Sequence, residues 1–257
     1  MRCITFTTDF GTRDWFVGTM KGVVLCLAPR ARIVDFTHEI APGDIRAGAF
    51  ALAAGYSFFP RHTIHVAVVD PGVGTKRRAI AVQTGDYLFV GPDNGLLSWA
   101  LAREKIKAIH ALENRSYFLP RVSCTFHGRD IFAPVAAHLS NGVPLRKLGP
   151  GCRDLVRLPW PKPTRSSKGI RGEVVYVDRF GNAITNISSE VLSSLKGRPA
   201  VFMGRKRMCA VAPTYQTVGC GRLVAVIGSS GFLEIAVNGA SAAERLGLRL
   251  GTKIGVE

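Results

Sequence analysis

The sequence predicts two parts of different class: an α/β N-terminal domain on a mainly parallel central sheet, and a smaller all-β C-terminal domain of barrel or sandwich type. Three observations predict this. Strand-like apolar runs alternate with runs of helical spacing through residues 1–150, the pattern of an α/β layer. The texture then changes at Gly149-Pro150-Gly151 and again across PWPKPTRSSKG, residues 159–169, a Pro/Ser/Lys stretch of linker character. Beyond it, short β-prone runs are punctuated by Gly, Asn and Ser. The resulting boundaries are 1–155 for the α/β domain, 156–170 for the linker and 171–257 for the β-rich domain.

Element by element, Ile4-Thr5-Phe6 opens as a strand and ends in the polar residues Thr7-Thr8-Asp9. Phe16, Met20, Val23, Val24 and Leu27 recur at helical spacing, and Pro29 stands where that helix must stop. Ile33-Val34-Asp35-Phe36 reads as a second strand. Asp44 is placed to cap a helix whose apolar stripe is Ile45, Ala49, Leu52 and Tyr56. Residues 64–69, 79–82 and 87–90 read as strands and 130–139 as a helix. In the C-terminal part, 173–177, 183–187, 200–203, 222–227, 232–237 and 253–256 read as strands, with short helical turns at 191–195 and 240–246. That pattern suits a small antiparallel barrel or sandwich. In the α/β part, functional groups belong at the carboxyl ends of the strands, where loops open onto a crevice.

Composition excludes several classes. The 257-residue chain is 47% hydrophobic and 20% charged, enough for a packed core and too apolar for disorder. No apolar run approaches the ~20 residues of a membrane span. The start, MRCITFTTDFG, turns polar too soon for a signal peptide, so the expectation is a cytoplasmic protein with no membrane partner. The six cysteines are scattered with no CxxC pair, which favours buried reduced thiols over disulfides or zinc. A net charge of +16 raises a nucleic-acid-binding reading. The basic excess, however, is spread along the whole chain. Its two short clusters, Lys76-Arg77-Arg78 and Arg205-Lys206-Arg207, lack the interleaved aromatics of a stacking platform, so nucleic acid is not the expected partner.

Common cofactor motifs fail. Gly72-Val73-Gly74 begins like a dinucleotide loop, but Arg77 occupies the third glycine position. There is no GxxxxGK[ST] run, and Gly228-Ser229-Ser230-Gly231 is one residue short of a nucleophile elbow. His62 and His65 lie three apart within or beside a strand and face opposite sides of it, so no metal is expected.

Polar groups at strand ends remain. Asp9 follows the first strand in TTDFGTRD, with Gly11 allowing a tight turn and Asp14 near a helix start; a carboxylate there suits a vicinal diol such as a ribose, or caps a turn or helix. Asp70 ends the apolar strand of HVAVVDPGVGTKRR, a costly place for a carboxylate unless it is paired, and Arg77 can return across the glycine loop to meet it. That pair is either functional or a structural ion pair. His127 sits in FHGRD, with Gly128 expected to leave open space beside it. In VDRFGNAITNI, Asp178, Phe180 and Asn182 offer a carboxylate, a stacking ring and an amide for an adenine-bearing ligand, or form an ordinary hairpin turn.

Taken in order, TTDFGTRDWFVGTMKG, DFTHEIAPGDIRAGAF, VVDPGVGTKRR, GPDNGLL, TFHGRDIFAPVAAHL, VDRFGNAITNI and GFLEIAVNGASA resemble the S-adenosylmethionine (SAM) hydroxide adenosyltransferases, kin of the SAM-dependent fluorinase and chlorinase. The resemblance runs from residue 7 to 242. It implies an α/β domain followed by a β-rich one, and a homotrimer with its ligand held between neighbouring subunits. It further implies that Asp9 binds the ribose hydroxyls, and that Asp70, Arg77 and His127 surround an attacking water. Asp14, Asp178 and Ser229 would lie near the methionine end. Phe180 and Asn182 would contact adenine, with backbone help near Asn238 and Gly239. The halogenases carry a tyrosine where Asp70 stands, and the fluorinase a halide-binding serine where Gly128 stands, which puts this chain on the hydrolytic side. Ser230 replaces the fluorinase arginine that meets the ligand carboxylate. The implied reaction converts SAM and water to adenosine and methionine without a cofactor; the alternatives are an adenosine- or SAM-binding protein without fast turnover, or a basic nucleic-acid binder.

Overall fold

A computed structural model describes residues 2–167, 169–195, 197 and 199–257. It divides the chain into two compact units, Met1–Pro159 and Trp160–Glu257.

The first unit is built on a six-stranded sheet. Its strands are β1 (Cys3–Thr8), β2 (Arg32–Thr37), β3 (Ile64–Val68), β4 (Ala79–Gln83), β5 (Leu88–Pro92) and β6 (Ala108–Ala111), in the order β2-β1-β3-β5-β4-β6. The pairings β1–β2, β1–β3 and β3–β5 are parallel, whereas β4 pairs antiparallel with β5 and β6. The sheet is therefore mixed. The reason is chain length: residues 84–87, closed by the Thr84 N–H to Tyr87 carbonyl bond, are too few for a parallel crossover. β6 has no counterpart in the sequence reading, because four residues interrupted by His110 give no periodic signal.

Helix α1 (Phe16–Leu27) buries Val17, Met20 and Val24. It shares one face of the sheet with α4 (Ala133–Ser140), around a core that includes Ile4, Phe6, Val66, Val68, Phe132 and Leu139. A fully buried side chain of this kind contributes ~1.5–3 kcal/mol. Helices α2 (Ile45–Gly55) and α3 (Ser98–Leu101) pack against each other, and the Asp44 carboxylate caps α2 by accepting the Ala47 N–H at 2.8 Å. α4 is entered through one π-helical turn, Gly128–Phe132, directly after His127. Such irregular turns recur at functional sites.

The second unit contains β7 (Thr164–Ser166), β8 (Gly169–Val177), β9 (Ala183–Ser188), β10 (Ala200–Met203), β11 (Lys206–Ala210), β12 (Leu223–Ile227), β13 (Phe232–Val237) and β14 (Lys253–Val256). The order is β11-β10-β14-β8-β9-β13-β12, with β7 added to β8, and every strand pairing is antiparallel. A bridge between Val211 and Ala225 brings the two edges together, so the sheet curls into a nearly closed barrel. Its interior holds Ile170, Val174, Ile187, Val201, Leu233, Ile235 and Ile254. Ser188 and Ser241 cap the short helices α5 (Ser189–Leu192) and α6 (Ala242–Leu246).

Much of the stretch expected as linker is tied down. The Val156 N–H donates to Asp93 Oδ1 at 2.7 Å, the Leu158 N–H to Ser98 Oγ at 2.8 Å, and Trp99 Nε1 to the Leu158 carbonyl at 3.0 Å. Residues 164–166 form β7; Lys168, part of the same stretch, lies outside the described residues. All six cysteines are free, but none is buried as expected: Cys26, Cys124 and Cys220 are exposed and Cys3, Cys152 and Cys209 half-buried. Among the described residues no helix is long and apolar enough to cross a membrane.

Candidate active site

The parallel pairing of Thr8 with Val68 brings the ends of β1 and β3 side by side, so Asp9 and Asp70 emerge from neighbouring strands. After Asp70 the chain coils back on itself. The Val73 N–H donates to the Asp70 carbonyl at 3.1 Å, and Thr75 Oγ1 donates to the Gly72 carbonyl at 2.7 Å. Gly74, at φ +77°, lies so close to the Cys124 carbonyl that any β-carbon would strike it. This turn returns Arg77 to Asp70. Arg77 Nε donates to both carboxylate oxygens, at 2.9 and 2.8 Å, and Nη2 donates to Oδ2 as well. The side chains of Asp70 and Arg77 are only 4% and 10% exposed, so each charge depends on the other. The Arg77 guanidinium also lies over the Phe132 ring, 5.4 Å from its centroid.

Arg77 Nη2 makes one further contact, 2.8 Å from His127 Nδ1. Arginine has no acceptor, so Nδ1 accepts and the neutral ring carries its proton on Nε2. Burial and then the charge of Arg77 hold the imidazole below its ordinary pKa, consistent with that neutral form. His127 is steadied by the segment around it. Asp130, fully buried, accepts the Ser123 N–H on Oδ2 at 2.8 Å and Arg129 Nε on Oδ1 at 2.6 Å. Burial alone would raise the Asp130 carboxyl; the Arg129 and Ser123 bonds overcome it and hold the group below the usual range. The expected open space beside Gly128 is absent. A β-carbon there would stand 3.1 Å from Met20 Sδ, 3.3 Å from the Phe126 ring and 3.4 Å from the Phe10 ring. A side chain here would have to push α1 or the aromatic cluster aside by a few tenths of an ångström.

Asp9 is no helix cap. Its Oδ2 accepts the Gly43 N–H at 2.7 Å, from the loop between β2 and α2. Burial raises its pKa; the Gly43 N–H works against this, and the charge of Asp70 adds to it. Asp14 is exposed and α1 has no side-chain cap, so Asp14 does not fill that role.

In the second unit, Asp178, Phe180 and Asn182 share the turn joining β8 to β9. Asp178 Oδ1 accepts the N–H groups of Phe180 and Asn182, at 2.9 and 2.8 Å, and Oδ2 accepts Asn182 Nδ2 at 3.0 Å. Asp178 thus folds the turn, which projects Phe180, 76% exposed, as an uncovered ring. Gly181, at φ +79°, is pressed against Ser241, and its carbonyl accepts the Ala243 N–H at 2.8 Å. Asn238 and Gly239 follow β13 at this same end. Ser229 lies in the turn between β12 and β13, at the opposite end of β13. The candidates in this unit are therefore laid out along a strand.

Residues 4–149 match the SAM hydroxide adenosyltransferase N-terminal domain, and residues 172–255 match the corresponding C-terminal domain. The chain belongs to the SAM hydroxide adenosyltransferase family. An (R)-S-adenosyl-L-methionine hydrolase of Salinispora tropica is 44% identical over 98% of this chain and 97% of its own length. One from Thermus thermophilus is 40% identical over 99% of both chains. The crystal structure of an uncharacterized conserved protein from Thermotoga maritima superposes with a TM-score of 0.92 at 40% identity, covering 99% of this chain and all of the other.

Three groups bonded to or neighbouring candidate residues were not themselves among the sequence candidates. Gly43 acts through its main-chain N–H, which leaves no side-chain signal. Asp130 did leave one, a lone carboxylate heading the apolar run IFAPVAAHL. So did Glu234, in the middle of FLEIAV: it is 5% exposed, accepts Tyr215 Oη at 2.5 Å, and has its pKa raised by burial and by the charge of Asp178.

Proposed function

We propose that this chain hydrolyses S-adenosyl-L-methionine to adenosine and L-methionine, through attack of water or hydroxide on the ribose C5′. The observation that carries the reading is the Asp70–Arg77–His127 cluster at the end of β3, beside Asp9 at the end of β1. The C5′–S bond breaks as the C5′–O bond forms, methionine leaves with the sulfur electron pair, and one proton is released. The sulfonium is already a good leaving group, so no acid and no cofactor is required to expel it. The site has to supply an aligned and partly desolvated oxygen, and near-attack alignment contributes up to ~7–11 kcal/mol. Both Asp70 oxygens are engaged by Arg77, yet each carboxylate oxygen has a second lone pair, which can orient a water O–H. The fixed cation of Arg77 stabilises developing hydroxide. His127 accepts from Arg77 and so cannot take the water's proton through Nδ1; its part is to hold the guanidinium in place.

Asp9 would bind the ribose hydroxyls, Phe180 and Asn182 the adenine with the backbone near Asn238 and Gly239, and Asp14, Asp178 and Ser229 the methionine end. These groups come from both units. The reading therefore includes a homotrimer in which neighbouring subunits complete each site, working in the cytoplasm, where six free cysteines stay reduced. Light scattering of the dilute protein is expected to give three times the monomer mass; a monomer that still binds SAM removes the shared-site arrangement. For the reaction itself, incubation in ¹⁸O-water is expected to place the label in the adenosine 5′-hydroxyl. Unlabelled adenosine overturns the mechanism, and SAM binding without adenosine formation leaves a binding protein instead.

A further inference from the structure

We propose that His38 is a positioning residue that fixes the Asp9 carboxylate for its sugar contact, through its bond to the buried Thr8 hydroxyl, with the exposed Asp35 on the other side of the ring. The proposal rests on the ribose-binding reading of Asp9. His38 follows β2 and is 3% exposed, and Thr8, the last residue of β1, is fully buried. A buried imidazole is costly unless its nitrogens are bonded, and both of these are. Nε2 lies 2.9 Å from Asp35 Oδ1, and Lys21 Nζ donates to Asp35 Oδ2 at 2.6 Å. An ionised carboxylate only accepts, so Nε2 carries a proton. Nδ1 lies 2.8 Å from Thr8 Oγ1, and Thr8 Oγ1 accepts the Phe10 N–H at 3.2 Å.

In the neutral ring these bonds run in one direction. The Phe10 N–H donates to Thr8 Oγ1, the Thr8 hydroxyl donates to His38 Nδ1, and Nε2–H donates to Asp35. The main chain of His38 closes the arrangement, because its carbonyl accepts the Gly11 N–H at 2.7 Å. Residues on both sides of Asp9 are thereby tied to one side chain and its own backbone. The loop that carries His38 also supplies the Gly43 N–H held by Asp9 Oδ2. His38 touches neither cluster partner of Asp70, so its effect falls on binding geometry and not on the nucleophile.

The test is steady-state kinetics of SAM hydrolysis with the full chain, with thermal melting alongside. His38→Gln keeps a donor where Nε2 stood and loses the Thr8 acceptor. His38→Asn keeps an acceptor where Nδ1 stood and loses the Asp35 contact. Thr8→Val removes the hydroxyl alone. His38→Gln and Thr8→Val are expected to raise KM roughly three- to tenfold with kcat within about twofold, the scale of one lost hydrogen bond. His38→Asn and Thr8→Ser are expected to restore KM to about twofold of wild type, which a general loss of stability does not produce. If His38→Gln does not fold, the Thr8→Val and Thr8→Ser pair reads the same contact. Asp9→Asn separates the two layers of the argument. A raised KM in Asp9→Asn with a wild-type KM in Thr8→Val overturns the role of His38 alone. An unchanged KM in Asp9→Asn overturns the ribose reading, and this proposal with it.

Discussion

Asp70→Asn is expected to lower turnover of SAM by at least about a hundredfold, the usual scale for a group acting on a proton in flight, while leaving affinity within a few fold. Asparagine keeps the shape of the side chain and one acceptor oxygen, so the Arg77 turn can still close. What it loses is the negative charge and the second acceptor, the features that orient a water O–H and take up positive charge as the oxygen bonds to carbon. The ribose and adenine contacts lie on other residues and are untouched. The competing outcome has a physical basis as well. Asp70 and Arg77 are a nearly buried pair, and breaking such a pair on one side costs ~3–5 kcal/mol in stability. His127 Nδ1 and the Phe132 ring soften that cost by sharing the guanidinium. Binding calorimetry, product chromatography and melting temperature distinguish the cases. Equal losses of affinity and rate, tracking a large fall in melting temperature, would make Asp70 a structural partner of Arg77.

The sequence reading was most informative where one local rule acted alone. Helical spacing and Pro29 located α1, Asp44 located the start of α2, and alternating apolar runs located β1, β3 and β5. The return of Arg77 to Asp70 was legible because a buried carboxylate needs a partner and the glycine loop leaves room for one. The misses came where tertiary packing decides. β11, KRMCA, reads as a basic surface run and becomes a strand because β10 pairs with it. Open space beside Gly128 is a local inference that Met20 and Phe10, from far along the chain, overturn together with the neighbouring Phe126. The Gly43 contact to Asp9 spans 34 residues and uses only the main chain of Gly43, so no residue type announces the donor. His38 and Asp35 stood in a quoted motif, DFTHEI, yet their role follows only when β2 lies beside β1.

Asp9→Ala is expected to show the opposite split from Asp70→Asn: a large loss of affinity and a smaller change in kcat. Each charge-assisted hydrogen bond from a sugar hydroxyl contributes ~1.5–3 kcal/mol, so losing one weakens binding roughly 10- to 150-fold. Its pH dependence follows from where Asp9 sits. Burial lifts the carboxyl above its ordinary range, the Gly43 N–H pulls it part of the way back, and the charge of Asp70 pushes it up again. Only the ionised form accepts two hydroxyl bonds. As pH falls, the wild-type protein therefore loses kcat/KM, beginning at a higher pH than an ordinary carboxylate would dictate, because kcat/KM reports groups of the free enzyme. In Asp9→Ala that acid limb is expected to disappear, leaving a lower and flatter profile. Asp70→Asn retains the limb at reduced rate, since Asp9 is still present; removing the Asp70 charge moves it toward lower pH, the direction in which a neighbouring anion ceases to oppose ionisation. Profiles of all three proteins decide the matter: an acid limb that persists unchanged in Asp9→Ala would show that another group controls binding of the sugar.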